Sequence, residues 1–162
     1  MLPTLLLSLA YAGNPLLVET FDAAPASTGW NVINGAQVGL GAESRVLVED
    51  GALVLRVAPT DQQFKAVQRT VALGGASKIK VSARMRTESV DPVPAKYDNC
   101  QVYVQFPGGK VQPIEPLWGT KPWASQERVF TVPPGVTEVS VGVFLSMPGA
   151  AWFDDLRVEA VE

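Results

Sequence analysis

Apolar and polar residues alternate along most of this chain with a period of two, in short runs broken by Gly, Pro, Asn and Asp. That period sends successive side chains to opposite sides of a β-strand. The runs predict strands over 16–22, 29–34, 44–49, 52–58, 64–73, 77–87, 99–106, 110–116, 127–132, 137–146 and 151–160. No stretch after residue 12 shows the spacing of an amphipathic helix. Thirteen prolines and fourteen glycines interrupt the runs and oppose long helices. Short strands with turn signals at close intervals predict an all-β fold, a two-sheet antiparallel β-sandwich of the jelly-roll kind. Two longer loops are expected at 88–98 and at 115–126, the second holding Trp118 and Trp123.

The alternation also assigns sides. In 77–87, Ile79, Val81, Ala83 and Met85 share one face, opposite Lys80, Ser82, Arg84 and Arg86. In 99–106, Cys100, Val102, Val104 and Phe106 oppose Gln101, Tyr103 and Gln105; in 137–146, Val139, Val141, Val143 and Leu145 oppose Ser140, Gly142, Phe144 and Ser146. Such half-apolar strands suit antiparallel sheets with one solvated face. In the last strand the same count places Trp152, Asp154, Leu156 and Val158 inward and Asp155 outward. A carboxylate facing the interior costs several kcal/mol unless it is paired or metal-bound, which marks Asp154 as a candidate ligand. Trp30, Trp152 and Trp123 read as core residues and Trp118 as a loop aromatic.

A chain of 162 residues is long enough for one domain with a substantial core. Its net charge of -3 gives no basic footprint for nonspecific nucleic-acid binding and no pull toward anionic membranes. Residues 1–12 are Leu-rich and end in Ala10-Tyr11-Ala12, a small-x-small pattern expected of a cleaved signal peptide. The apolar run is too short to span a bilayer. Residues 13–162 then form a single domain, expected to be secreted to an extracellular or periplasmic location. Cys100 is the only cysteine, so no disulfide can form within the chain, and its strand position reads as a buried, inert thiol. The chain has no histidine, the commonest general base. It has no Gly-x-Ser-x-Gly elbow, and Gly108-Gly109-Lys110 lacks the rest of a phosphate loop. Its acidic residues form no paired catalytic motif. These features predict a binding protein, not an enzyme.

Phe21-Asp22 followed by Gly29-Trp30 resembles the entry of galactose-binding-like jelly rolls, common among carbohydrate-binding modules. Glu49-Asp50-Gly51-Ala52-Leu53-Val54-Leu55 is similar to that family as well. So are Gly119-Thr120 to Trp123 leading into Val129-Phe130-Thr131-Val132-Pro133, and Trp152-Phe153-Asp154-Asp155-Leu156. The resemblance implies that the first and last strands are adjacent. It also implies a structural calcium held between them, with Asp22, the carbonyl of Thr20, Asp154, and Glu49 or Asp50 as its ligands. Calcium takes six to eight oxygens, so carboxylates would be completed by carbonyls.

Within such modules sugars bind on a polar sheet face or at edge loops, an aromatic ring stacking on the sugar while amides and charges bond its hydroxyls. The candidate ligand-binding residues are Arg84, Arg86, Gln101, Tyr103, Gln105 and Phe144, as one platform if their strands share a sheet, with Trp118 as an edge aromatic. The two arginines would suit a glycan bearing carboxylates or sulfates. The partner expected first is a polysaccharide. The alternative is an extracellular structural or adhesion module that contacts protein. A concave groove with an exposed Tyr103 would favour the first reading, and a flat apolar patch the second.

Overall fold

The computed structural model describes residues 13–35, 44–61, 63–92 and 100–162. The expected signal segment 1–12 lies outside these residues, as does the 88–98 loop from residue 93 onward. The described chain forms eleven strands: β1 (Asn14–Glu19), β2 (Asn31–Ile33), β3 (Arg45–Glu49), β4 (Ala52–Val57), β5 (Lys65–Ala72), β6 (Lys78–Val90), β7 (Cys100–Gln105), β8 (Gln112–Pro113), β9 (Gly119–Thr131), β10 (Glu138–Leu145) and β11 (Gly149–Val161). A 3-10 turn, Pro25–Thr28, precedes β2.

The strands make two antiparallel sheets. A six-stranded sheet runs β3-β4-β11-β6-β9, with β1 also on β11; a five-stranded sheet runs β2-β5-β10-β7-β8. β6 pairs along one edge of β11, while β4 and β1 divide the other. The first and last strands therefore lie side by side, as the sequence predicts. Between the sheets sit the inward residues of β4, β6, β7, β10 and β11, among them Leu53, Leu55, Val81, Val102, Val141 and Phe153. Burying a Val, Leu or Phe side chain contributes about 1.5–3 kcal/mol. Cys100 is fully buried, and burial pushes its thiol up, out of reach of the reactive thiolate.

Two expectations are corrected. The segment 115–126 is largely strand, because β9 continues from Gly119 to Thr131. The thirteen residues of β6 present a long row of backbone partners. β9 can follow that row with solvated residues because it is an edge strand, where Pro122 is also tolerated. The second correction concerns β11. Phe153, Leu156 and Val158 are inward, but Trp152 pairs with Val54 and Arg86, and Asp154 with Arg84, on the outer face. A bulge between Asp154 and Arg157, with Asp155 at φ 49°, inserts an extra residue and reverses the phase. Trp152 and Trp123 thus belong to a separate outer cluster with Leu47, Ala52, Val54 and Ala150, not to the core.

Trp30 is in the core as expected, its ring 5.5 Å from that of Phe21. Glu19 holds this corner. One carboxylate oxygen accepts the Phe21 N–H (2.8 Å) and the other the Trp30 indole N–H (2.9 Å). Phe21 is left-handed, at φ 52°, which costs about 1–2 kcal/mol for an L-residue. Its complete burial and the Glu19 bond offset that cost.

A buried ion pair closes one end of the sandwich. Lys65 pairs with the inward Leu145 and is fully buried. Its ammonium lies 2.5 Å from Asp61 and also donates to the Gln63 carbonyl, while the Ser44 hydroxyl donates to the same carboxylate. Desolvation alone would raise the Asp61 pKa; the bonds from Lys65, Ser44 and the Gln63 N–H together outweigh it and hold the carboxyl below its ordinary 3.8. A depressed native pKa stabilises the fold above that ordinary value, and the stabilisation is lost as the pH falls through the native one. Asp61→Ala leaves the ammonium buried and unpaired, and should cost about 3–5 kcal/mol in urea unfolding at neutral pH. The gap between wild type and variant should narrow as the pH drops below 3.8. A gap that holds constant into strong acid would show that the charged carboxylate is not what stabilises this end.

Candidate functional site

The outer face of the five-stranded sheet gathers four of the predicted ligand residues. Strand register sets Asn31, Gln68, Gly142, Tyr103 and Pro113 in one row across it. Ile33, Ala66, Phe144 and Gln101 form the row on one side, and Thr70, Ser140 and Gln105 the row on the other. Gly142 is where the middle row is lowest. A Cβ there would come within 2.7 Å of the Tyr103 ring and hydroxyl and 2.8 Å of the Val67 carbonyl oxygen. The Tyr103 ring accordingly lies down over Gly142, and its hydroxyl donates to the Gln68 side-chain oxygen at 2.9 Å.

This arrangement corrects the expectation of a bare Tyr103. The residue is only 6% exposed, and burial pushes its hydroxyl pKa up to about 12. Gln101, expected to be open, is 5% exposed, and its side-chain oxygen accepts no hydrogen bond among the described residues. The accessible aromatic surface is instead the pair Phe144 and Phe64, with centroids 5.2 Å apart and Phe64 40% exposed. On the same face, but not lined by either ring, a groove of about 380 Å³ runs past Gly29, Asn31, Gln68, Arg69, Thr70 and Ser140. A smaller one of about 180 Å³ continues past Gln105 to the Phe106–Gly108 turn. Arg69 is fixed there by a bond to the Thr28 carbonyl. Asn31, Phe64, Gln68, Arg69 and Thr70 were missed by the sequence reading. The alternation Ala66, Gln68, Thr70, Ala72 in β5 carried that signal for Gln68 and Thr70, while Arg69, of the opposite parity, had none.

Arg84 and Arg86 do not join this platform. They lie on β6, on the outer face of the other sheet. A local alternation shows which side of a strand is polar but not which sheet the strand joins. Arg86 stacks 4.1 Å from the Trp152 ring centroid and pairs with Glu88 at 3.2 Å; Arg56 covers the same indole at 5.2 Å. Arg84 stacks 5.1 Å from Trp123, with Asp154 and Asp155 at 3.8 and 3.6 Å. These carboxylates neutralise the arginines, so the cationic edge expected for an acidic glycan is not formed. Trp118 is 54% exposed just before β9, and the neighbouring Leu117 N–H donates to the Cys100 carbonyl at the edge of the five-stranded sheet.

The predicted metal ligands partly converge. Asp22 reaches the β3–β4 turn, its Oδ1 3.7 Å from where a Cβ on Gly51 would stand. Its charge is felt at Asp154, whose carboxyl lies above its ordinary range. Desolvation is the main cause, and Asp155 and Asp22 add to it against the Asp155 N–H bond and Arg84. Glu49 is committed to Arg56 at 2.8 Å, and the Thr20 hydroxyl to Asp22 at 2.6 Å. Among the described residues no group of three or more His, Cys, Asp or Glu side chains is placed to hold a metal.

Two sheets packed face to face, with the ends of the chain paired, define the protein as a β-sandwich of the jelly-roll class. No protein-family profile matches the sequence, and no curated protein matches it. Solved structures do match. The CBM22-1 xylan-binding domain from Paenibacillus barcinonensis Xyn10C is 13% identical, with a TM-score of 0.58 over 93% of this chain and 97% of that one. A CBM4 structure is 18% identical, TM-score 0.55, covering 88% and 97%. The C-terminal family 22 carbohydrate-binding module of Clostridium thermocellum Xyn10B, with a cleft acting in ligand binding, is 11% identical, TM-score 0.55, covering 92% and 96%. The chain therefore has the fold of the jelly-roll carbohydrate-binding modules.

The recess at Gly142 gives a direct check on the platform. Gly142→Ala should cost about 1–3 kcal/mol in urea unfolding, because the Val67 carbonyl is backbone and cannot swing aside. An unchanged midpoint would mean that the Tyr103 ring does not lie over this residue.

Proposed function

We propose that the protein is a secreted, non-catalytic carbohydrate-binding module that takes an extended glycan along the outer face of its five-stranded sheet. The observation that carries this reading is the polar lining of that groove, Asn31, Gln68, Arg69, Thr70 and Ser140, on the same face as the stacked rings of Phe64 and Phe144 one row along. Sugars need both partners, an apolar ring for their C–H face and polar groups for their hydroxyls. The xylan-binding neighbour and the ligand cleft of the Clostridium module support the same reading. Secretion rests on the Leu-rich segment ending at Ala12.

Affinity electrophoresis against xylan, mixed-linkage β-glucan, β-1,4-galactan and laminarin should show retardation by at least one of them, without release of reducing sugar. Phe144→Ala should weaken that binding by about 1–3 kcal/mol with little change in melting temperature. Undiminished binding by the variant moves the site off this face. Failure of every polysaccharide favours the alternative, an extracellular structural or adhesion module that contacts protein.

Calcium is proposed as a structural ion at the corner of Asp22 and Asp154, with backbone carbonyls completing its shell. It would relieve the repulsion between these carboxylates and fasten the β1 corner to β11. Millimolar calcium should raise the melting temperature and chelator should reverse the rise, less so in Asp22→Asn. Identical melting curves with calcium and with chelator would remove the ion.

A further inference from the structure

Arg84, placed apart from the sugar groove by the sheet topology, lines a different depression. A groove of about 580 Å³ crosses the outer face of the six-stranded sheet between β9, β6 and β11, bordered by Ser82, Arg84, Ser125, Glu127, Asp155 and Arg157. The bulge at Asp154–Arg157 forms one of its walls. Bulges turn side chains away from strict alternation and recur beside binding sites. Arg84 is held over the Trp123 indole, and the nearest oxygens of Asp154 and Asp155 stand at 3.8 and 3.6 Å, beyond hydrogen-bond length. Its orientation is therefore fixed while its N–H donors stay open. The exposed Arg157 guanidinium makes no ion pair, hydrogen bond or ring contact among the described residues.

We propose that this groove is a second saccharide site, on the face opposite the first, and that the domain can bridge two glycan chains. The inference rests on the carbohydrate reading above. Its lining settles the class of ligand. Two guanidiniums and two carboxylates balance, so an anionic group would meet Asp155 and Glu127 as closely as the arginines. A neutral hydroxylated ring uses all of them, giving protons to the carboxylates and accepting from Arg84, Arg157 and the serines. Charge-assisted bonds of this kind are about twice as strong as neutral ones. Because the two grooves lie on outer faces of back-to-back sheets, they open in opposite directions. A bivalent module of this shape links chains and gains avidity on a surface where chains are dense.

Calorimetric titration with hexasaccharides from the same polysaccharides tests the proposal. The wild type should bind two per protein, and its mixtures with the long polymer should scatter more light as cross-links form. Arg157→Ala removes a side chain that supports nothing else, so the fold should be unaffected, the stoichiometry should fall to one and the scattering should vanish. One site in both proteins overturns the second site and leaves the first standing. Two sites in both place the second elsewhere and overturn this groove. No binding by either protein overturns the carbohydrate reading and this inference together.

Discussion

The structure depends on how the two edges of β11 are shared. A central strand offers one row of N–H and C=O groups on each side, and every buried group needs a partner. β6 follows one side, and β4 and β1 split the other at residues 153 and 156. The change of partner falls at the bulge, where Asp155 turns left-handed. Among the described residues, three of the five non-glycine residues with positive φ, Phe21, Asp50 and Asp155, belong to the segments brought together there. Asp and Asn tolerate that region, but Phe does not, so Phe21 stays only because burial and Glu19 hold it. This junction also brings Asp22 within electrostatic reach of Asp154.

The same reversal of phase divides the outer surface of the six-stranded sheet. Before the bulge, Trp152 faces outward and collects Val54, Ala52 and Ala150, and Arg56 and Arg86 close over it, so the indole is 8% exposed despite its outer position. Both arginines are also ion-paired, to Glu49 and Glu88. After the bulge the face turns polar, Lys80 pairing with Glu159 at 3.1 Å while Arg157 stands free among the described residues. One half of the face is sealed by its own guanidiniums, and the other leaves them open.

Where an alternation ran unbroken, the sequence showed the fold directly. The inward residues of β6, β7 and β10 are those that the period-two count selects, and the pairing of β1 with β11 follows the resemblance at the two ends. The count failed at Asp154 because a bulge has no signature in alternation; Asp-Asp is compatible with either phase. It failed at 119–126 because an edge strand needs no apolar face, and Lys121, Ser125 and Gln126 look like loop. The ligand platform was legible on β7 and β10 but wrongly joined to Arg84 and Arg86, since strands from two sheets carry the same local pattern. Tyr103 lay beyond local reading altogether. Its burial depends on Gly142, which only the β7–β10 register brings beneath it.

The contrast between the two outer faces also bears on the proposed sugar site, favouring Phe144 over Trp152 as its stacking surface. Indole is the larger and usually the stronger stacking partner. Here, however, a sugar approaching Trp152 must first displace Arg86, 4.1 Å above the ring, and loosen its link to Glu88. Cation–π contact alone is worth about 0.5–1 kcal/mol at exposed sites and more when desolvated, and a surface ion pair adds up to about 1 kcal/mol. Those losses consume most of the gain from stacking. On the five-stranded face nothing has to leave. The Phe64 ring is already open, and Tyr103 is locked by Gln68. A face that binds without first breaking its own contacts keeps the full free energy of each new one, and that preorganisation outweighs the larger ring on the other side.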